Sequence, residues 1–149
     1  MANPTETRLP GFETTFITRN ELTDEQLAAV RDRLATAVAE YKGEIVLTED
    51  WGKKKLAYPI QKETRGHYTY LVYTGKGEVV TEVERTLRLN EHVLRFLSIS
   101  LDKEFDGEDF KKRRLDQHAA TKRREEEREA RKEAARAARA SEHYDDMGE

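Results

Sequence analysis

The sequence contains no cysteine. Thiolate zinc sites, iron–sulfur clusters, disulfide bonds and cysteine nucleophiles are therefore excluded. The four histidines, at positions 67, 92, 118 and 143, show none of the spacings of metal-binding motifs. The acidic residues are scattered and form no obvious pair in apolar surroundings for acid and base catalysis. We therefore expect no catalytic residue, no bound metal, no cofactor and no small-molecule substrate.

Long apolar runs are also absent. No stretch approaches the roughly 20 residues that a membrane-spanning helix needs. The first ten residues, MANPTETRLP, lack the basic and then apolar regions of a secretory signal. These two absences predict a cytoplasmic protein that contacts no membrane.

Charged residues, by contrast, make up 38% of the chain, and their signs are unevenly distributed. The whole chain has a net charge of -3, whereas residues 111–140 contain 12 basic and 6 acidic residues, a local net charge of +6. A basic segment of this kind favours a nucleic-acid partner. Residues 103–149 show no apolar period, so we expect a charged extension, disordered or helical, whose deletion leaves thermal unfolding nearly unchanged.

The first hundred residues contain six segments with regular apolar spacing. The spacing predicts the order strand, helix, strand, strand, helix, strand at residues 11–19, 24–42, 44–60, 67–74, 78–89 and 93–101. Thr23 and Gln26 form a capping box before the first helix, whose apolar stripe runs from Leu27 to Tyr41. Gly52 predicts a bulge or bend in the second strand, and Gln61–Gly66 predicts a loop.

This order is typical of the ferredoxin-like split βαβ sandwich, an α+β fold with two helices on one face of a four-stranded antiparallel sheet. The other face of the sheet would have no cover within the chain. We divide the chain into a flexible N-terminus, residues 1–9, a ferredoxin-like RNA-binding domain, residues 10–102, and a charged C-terminal extension, residues 103–149.

The most distinctive stretch is EDWGKKKLAYPIQK, residues 49–62. Lys53, Lys54 and Lys55 alternate in direction along a predicted strand beside Trp51 and Tyr58. Basic residues next to aromatic ones suit RNA, because phosphates pair with the charges and unstacked bases with the rings. In the alternative interpretation, the lysines protect an edge strand against aggregation while the aromatic residues pack inside.

The same stretch closely resembles the hallmark segment of the bacterial small-subunit ribosomal protein six family, in which a WG pair, a short basic run and LAYPI occur together. Two further stretches, FETTFITR at residues 12–19 and LRLNEHVLRFL at residues 87–97, are similar to the family in the same order. Lys55 and Gln61 depart mildly from its pattern. The resemblance implies a ferredoxin-like, non-enzymatic structural component of the 30S subunit that binds the central domain of 16S ribosomal RNA together with ribosomal protein eighteen.

Within this interpretation we expect basic residues that flank or interrupt the strands, and the first ones of the extension, to contact RNA. They are Lys53, Lys54, Lys55, Arg65, Arg88, Arg95, Lys111, Lys112, Arg113 and Arg114. We expect a protein partner to contact Trp51, Leu56 and Tyr58. An alternative from another class is a ferredoxin-like domain that binds a metabolite, or regulates, and dimerises through its open sheet.

Overall fold

Seven elements follow one another in a computed structural model that describes residues 8–148. They are β1 (Gly11–Arg19), α1 (Asp24–Glu40), β2 (Glu44–Ile60), β3 (Glu63–Thr74), α2 (Gly77–Leu89), β4 (Val93–Ser100) and α3 (Gly107–Asp146). The predicted flexible N-terminus lies outside the described residues up to position 7. The chain divides between Glu108 and Asp109 into two units, which are described separately.

The sheet of the first unit has the strand order β2-β3-β1-β4, and all its neighbouring strands are antiparallel. Strands β1 and β3, which are central, carry the side chains that face the helices; Phe16 pairs with Thr69 and Thr14 with Leu71. Strands β2 and β4 form the two edges. The predicted ferredoxin-like arrangement of strands and helices is confirmed.

Both helices pack their apolar stripes on one face of the sheet. In α1 the capping box of Thr23 and Gln26 is present as predicted, and Leu27, Val30, Leu34 and Val38 are buried. Tyr41 was predicted on the same stripe, but it is 41% exposed because the helix ends at Glu40. The α2 residues buried against the same core are Val79, Val83 and Leu87.

Three side chains in the core are linked by hydrogen bonds. The hydroxyl of Tyr73 shares a hydrogen bond with Thr14 at 2.9 Å, and Thr14 shares another with Ser98 at 2.8 Å. Burial raises the pKa of Tyr73 above its ordinary value of 10.0, although these hydrogen bonds oppose the shift. The phenol therefore stays neutral and holds β1, β3 and β4 together.

The turn between β2 and β3 is shorter than predicted. Only Gln61 and Lys62 separate the strands, and both have positive φ, at 48° and 66°. Two consecutive left-handed residues match the twist of a two-residue hairpin. Glu63–Gly66, predicted as loop, belongs to β3 instead.

Bulges change which residues of β2 share a face. The predicted interruption at Gly52 is present, with a register shift between Asp50 and Gly52 and a φ of +79°. A second shift lies between Ile45 and Leu47, so Ile45 pairs with Tyr73 on the helix side whereas Leu47 pairs with Val72 on the other. Ile45 and Leu47 therefore lie on opposite faces, although simple alternation would place them on the same one, because an extra residue reverses the alternation.

The face of the sheet opposite the helices, called the open face below, is covered at one end by the chain itself. Phe105 is only 8% exposed, and a Cβ on Gly11 would lie 2.2 Å from its Cγ. Phe12 points toward the helices. Successive strand residues point to opposite faces, so the open position at its neighbour Gly11, which Phe105 fills, lies on the open face. The Phe105 amide donates to Leu9 O at 3.0 Å. The expectation that this face has no cover within the chain was therefore wrong at this point.

The second unit consists of α3 from Asp109 onwards. Every residue from Thr121 to Gly148 is exposed, in agreement with the lack of an apolar period. Among residues 8–148, no helix combines the length and apolarity needed to cross a membrane. The same residues hold no cluster of His, Asp and Glu suited to a metal ion.

Candidate nucleic-acid interface

The β2–β3 hairpin extends past the end of β1. The last residue of β1, Arg19, pairs with Gly66, so the pair Lys55 and Arg65 has no β1 neighbour. We call residues 53–65 the hairpin arm. It contains the lysine triplet, Arg65 and Tyr58, which are all exposed.

The three lysines of the hairpin arm divide between its two faces. Lys53 pairs with His67 and Lys55 with Arg65, whereas Lys54 pairs with Gly66. Since His67 also pairs with the core residue Thr18, the face that carries Lys53, Lys55 and Arg65 is the helix side. These three cations are cross-strand or next-but-one neighbours, so they form one small basic surface.

Lys54 lies on the open face among aromatic rings. Its Nζ is 5.5 Å from the ring centroid of Trp51 and 5.7 Å from that of Tyr68. Trp51 in turn stacks on Tyr70, with centroids 4.9 Å apart and planes 13° apart. Trp51 is 37% exposed, so part of its ring is accessible beside the Lys54 cation.

The tip of the arm bends across the open face. Leu56 is buried, with its Cδ2 3.6 Å from the position of a Cβ on Gly66. Tyr58 comes from the edge strand β2, yet Arg95 of the opposite edge strand β4 lies 5.9 Å from its ring centroid and also donates a hydrogen bond to its hydroxyl. Leu56 is thus an internal packing residue of the free chain, whereas Tyr58 is 57% exposed.

Arg19 holds the tip of this bent arm. Its guanidinium donates to Gln61 Oε1 at 3.0 Å and to Glu63 Oε1 at 3.3 Å. Its Nε donates to the backbone carbonyl of Glu91 at 3.3 Å. One side chain therefore connects the turn of the hairpin to the loop between α2 and β4.

The carboxylate of Asp50, just before the arm, joins β2 to β3 and to α1. Asp50 contacts His67 Nε2 at 2.5 Å, Arg31 at 3.4 Å and the amide of Gly52 at 2.7 Å. Burial alone would raise the pKa of Asp50, but the Gly52 amide, the hydrogen bond to His67 and the charges of His67 and Arg31 outweigh it, so the pKa is lowered.

Two exposed apolar residues of the open face were missed by sequence reasoning. Leu97 and Ile99 on β4 are 63% and 48% exposed. They pair with Thr15 and Glu13, which face away from the helices. The signal was present in the sequence FLSIS of residues 96–100. Phe96 faces the helices, yet Leu97 and Ile99, which alternate to the other face, are also large and apolar. Such a strand indicates a covered face on each side.

The other predicted RNA-binding residues are dispersed. Arg88 of α2 lies over the ring of Phe96 at 5.8 Å, on the helix side. Lys111, Lys112, Arg113 and Arg114 are consecutive residues of α3, so they point to all sides of that helix. Arg113 pairs with Asp109 at 3.0 Å. Of the predicted cations in the first unit, Lys54 and Arg95 lie against aromatic rings on the open-face side, whereas Lys53, Lys55 and Arg65 lie on the helix side.

Residues 11–100 match the family model described as Ribosomal protein S6. The chain belongs to the ribosomal protein S6 family. Curated relatives named small ribosomal subunit protein bS6 include that of Geotalea daltonii, 43% identical over 62% of this chain and 73% of the relative. The one from Pelobacter propionicus is 44% identical over 60% and 70%. The predicted family is therefore confirmed.

A solved structure agrees with the fold. The crystal structure of 30S ribosomal protein S6 from Thermotoga maritima superimposes with a TM-score of 0.59 at 25% identity, covering 74% of this chain and 99% of that one. Membership of the S6 family gives this chain a structural, non-enzymatic role in the small ribosomal subunit. The prediction that it is not an enzyme is thereby confirmed.

Proposed function

We propose that this S6 family member binds the central domain of 16S ribosomal RNA together with ribosomal protein eighteen, as a cytoplasmic, ribosome-bound component of the ribonucleoprotein used in translation. The observation that carries the proposal is the hairpin arm. It presents Lys53, Lys55 and Arg65 on one face, and Lys54 beside the accessible ring of Trp51 on the other. The identities of the RNA domain and of the protein partner come from the family resemblance of residues 12–97.

Phosphate contact is the role of the basic face. Lys53, Lys55 and Arg65 are all exposed, so their charges reach a polyanion without a desolvation cost comparable to that of buried ions. The pair Lys55 and Arg65 lies beyond the last residue of β1 that pairs with β3. A projecting pair of strands with neighbouring cations can approach an RNA backbone that a flat sheet edge could not reach.

Protein contact is the role of the open face. Four large side chains remain exposed there or on the arm that bends over it: Trp51, Tyr58, Leu97 and Ile99. An apolar group of this kind on a ribosomal protein fits a partner that covers it, with aromatic residues as anchors. We assign the predicted partner contacts Trp51 and Tyr58 to this surface, and Leu56 supports it from below. Arg95 lies between the two roles because it contacts Tyr58.

Residues 10–102 form the RNA-binding domain in this proposal, and the extension at residues 103–149 adds charge. Arg88 and the first basic residues of the extension, Lys111 to Arg114, supply further phosphate contacts outside the arm. Such contacts increase affinity and carry little sequence information.

The decisive experiment measures binding of central-domain RNA by the full chain, with and without ribosomal protein eighteen. We expect tighter binding with the partner present. Leu97→Ser combined with Ile99→Ser should abolish that gain, because it removes apolar surface from the open face. Leu89→Ser is the matched control, since Leu89 is 70% exposed on α2, and it should retain the gain. Equal affinity with and without the partner would refute the cooperative proposal, and a stable dimer without RNA would favour the metabolite-binding alternative.

A further inference from the structure

The helix α3 segregates its charges by side over residues 124–139. With successive residues turned by about 100° around the axis, one half of the helix surface over this stretch has eight positions, six of them basic. The six are Arg124, Arg128, Arg131, Lys132, Arg136 and Arg139. We call these six residues the basic stripe. The other two positions on that half are Glu125 and Ala135.

The opposite half of the same stretch contains no basic residue. Its eight positions are four glutamates and four alanines: Glu126, Glu127, Glu129, Ala130, Glu133, Ala134, Ala137 and Ala138. The net charge of residues 124–139 is only +1, so composition alone hides this asymmetry. Pairs along the border, such as Lys132 with Glu129 at 3.3 Å, stabilise the isolated helix. Such pairs form wherever opposite charges are three or four residues apart, so helix stability alone does not explain why all six cations lie on one side.

From this arrangement we propose that α3 binds the phosphate backbone of double-helical RNA through the basic stripe. The proposal rests on the proposed function in one respect, that ribosomal RNA is the polyanion this chain meets. It assigns a second RNA contact, separate in sequence from the hairpin arm, and it names its structural class.

The chemistry of the stripe favours a duplex over other partners. Residues 124–139 contain no aromatic side chain, so unpaired bases have nothing to stack on. They contain no large apolar side chain either, so a hydrophobic groove of a protein has nothing to hold. Five of the six cations are arginines, whose planar guanidinium groups can each bind a phosphate through two hydrogen bonds.

The length and exposure of the stripe support the same partner. From Arg124 to Arg139 the helix rises about 22 Å, at about 1.5 Å per residue. All sixteen residues are exposed. A band of cations of that length on one side of a helix fits the regular phosphates along an RNA helix, which proteins recognise mainly by shape and backbone.

A charge-swap variant of the full chain tests the stripe without changing composition. Arg124→Glu with Glu126→Arg, and Arg131→Glu with Glu133→Arg, moves two cations to the opposite half and keeps the net charge. We expect its Kd for a synthetic 20-base-pair RNA duplex to rise roughly tenfold or more at low salt. The slope of log affinity against log salt should flatten by about 1.8, or about 0.9 for each of the two cations moved away from phosphate.

The matched control is Arg124→Lys with Arg131→Lys, which keeps both charges on the stripe and should bind the duplex within about threefold of the native chain. Circular dichroism checks that both variants remain helical. Unchanged duplex affinity in the charge-swap variant would overturn the proposal. So would binding that depends on the stripe for anionic lipid vesicles, or for a single strand of the same length, but not for the duplex.

Failure of the two proposals can be told apart. If the native chain binds the duplex and the charge-swap variant does not, but the native chain fails to bind central-domain RNA, the role of the stripe is supported and the proposed function is refuted. If the native chain binds central-domain RNA with its partner and the charge-swap variant binds the duplex like the native chain, the stripe fails and the proposed function stands.

Discussion

Tyr58 and Arg95 belong to opposite edge strands of the sheet, yet the guanidinium lies 5.9 Å from the centre of the phenol ring and donates a hydrogen bond to its hydroxyl. The contact exists because β2 and β3 fall out of register between Lys55 and Ile60, where the arm turns over the open face. It fixes an otherwise projecting segment in one position before any partner binds. Such preorganisation lowers the ordering cost of an interface.

The first prediction concerns this pair. In a double-mutant cycle of Tyr58→Leu and Arg95→Gln, we expect a coupling of about 0.5 to 1 kcal/mol in the free energy of unfolding, the range for an exposed cation–ring contact. Urea denaturation of the four proteins measures it. Additive effects of the two substitutions would contradict the prediction and leave the arm without this restraint.

The second prediction separates the lysines by face. If Lys53 and Lys55 bind phosphate, replacing both by glutamine should flatten the salt slope of RNA binding by about 0.7 to 0.9 for each lysine replaced. The free energy of unfolding should change by no more than about 0.5 kcal/mol for each substitution. The measurement is RNA affinity over a salt series with the partner protein present.

Lys54→Gln is the control on the other face of the same strand. It removes a cation from the rings of Trp51 and Tyr68. We therefore expect a change in tryptophan fluorescence and a salt slope of RNA binding close to that of the native chain. If the lysines only protect the edge strand, the double variant will keep its salt slope and aggregate more readily.

The order of the elements could be predicted from sequence because each apolar period is long and has recognisable ends. The capping box at Thr23 and the bulge at Gly52 have local signals, and both are present. The apolar spacing predicted the lysine-bearing strand, and the structure locates it at an edge.

The details that could not be predicted depend on single residues. A bulge near Val46 reverses the faces of β2 without any glycine to mark it. The hairpin turn uses Gln61 and Lys62, which lack the Asn-Gly signature of such turns. Phe105 is one aromatic residue in a charged segment, so no periodicity identifies it as part of the core. The basic stripe is visible in the sequence only once a helix is assumed.

The third prediction follows from the turn. Lys62 has a φ of 66° and a side chain that is exposed, and a non-glycine residue in that conformation costs roughly 1 kcal/mol or more. Lys62→Gly should therefore stabilise the protein by about 0.5 to 1 kcal/mol, after the added flexibility of the unfolded chain is subtracted. Lys53→Gly, at an exposed residue inside β2 that does not have positive φ, is the control and should destabilise. Thermal unfolding compares the two.

The fourth prediction concerns acid stability. The pKa of Asp50 lies below its usual value of 3.8 in the folded protein, so the carboxylate contributes stability that is complete above the unfolded value and is lost as the pH falls through the folded one. Asp50→Asn should thus be less stable than the native chain at neutral pH. The difference should shrink below about pH 3.8.

The expected difference at neutral pH is about 1 kcal/mol or less, since the Asp50 side chain is 45% exposed and solvent weakens its pairs. Urea unfolding of both proteins at a series of pH values gives the comparison. A difference that grows as the pH falls from 5 to 3 would show that the sign of this argument is wrong.

The last prediction concerns where the folded unit ends. A chain that stops at Glu108 should unfold thermally almost like the full chain, because it keeps Phe105 and Gly107, the latter against Val46. A chain that stops at Asp102 loses the Phe105 ring from Gly11 and the hydrogen bond to Leu9. Burying a phenylalanine typically contributes about 3 kcal/mol or more, which lowers the melting temperature by ~12 °C or more in a domain of this size. Phe105→Ala in the full chain should reproduce most of that fall, since it removes the ring and leaves the extension in place. If both truncated chains melt with the full chain, Phe105 contributes no stability and the domain ends at residue 102 as the sequence alone suggested.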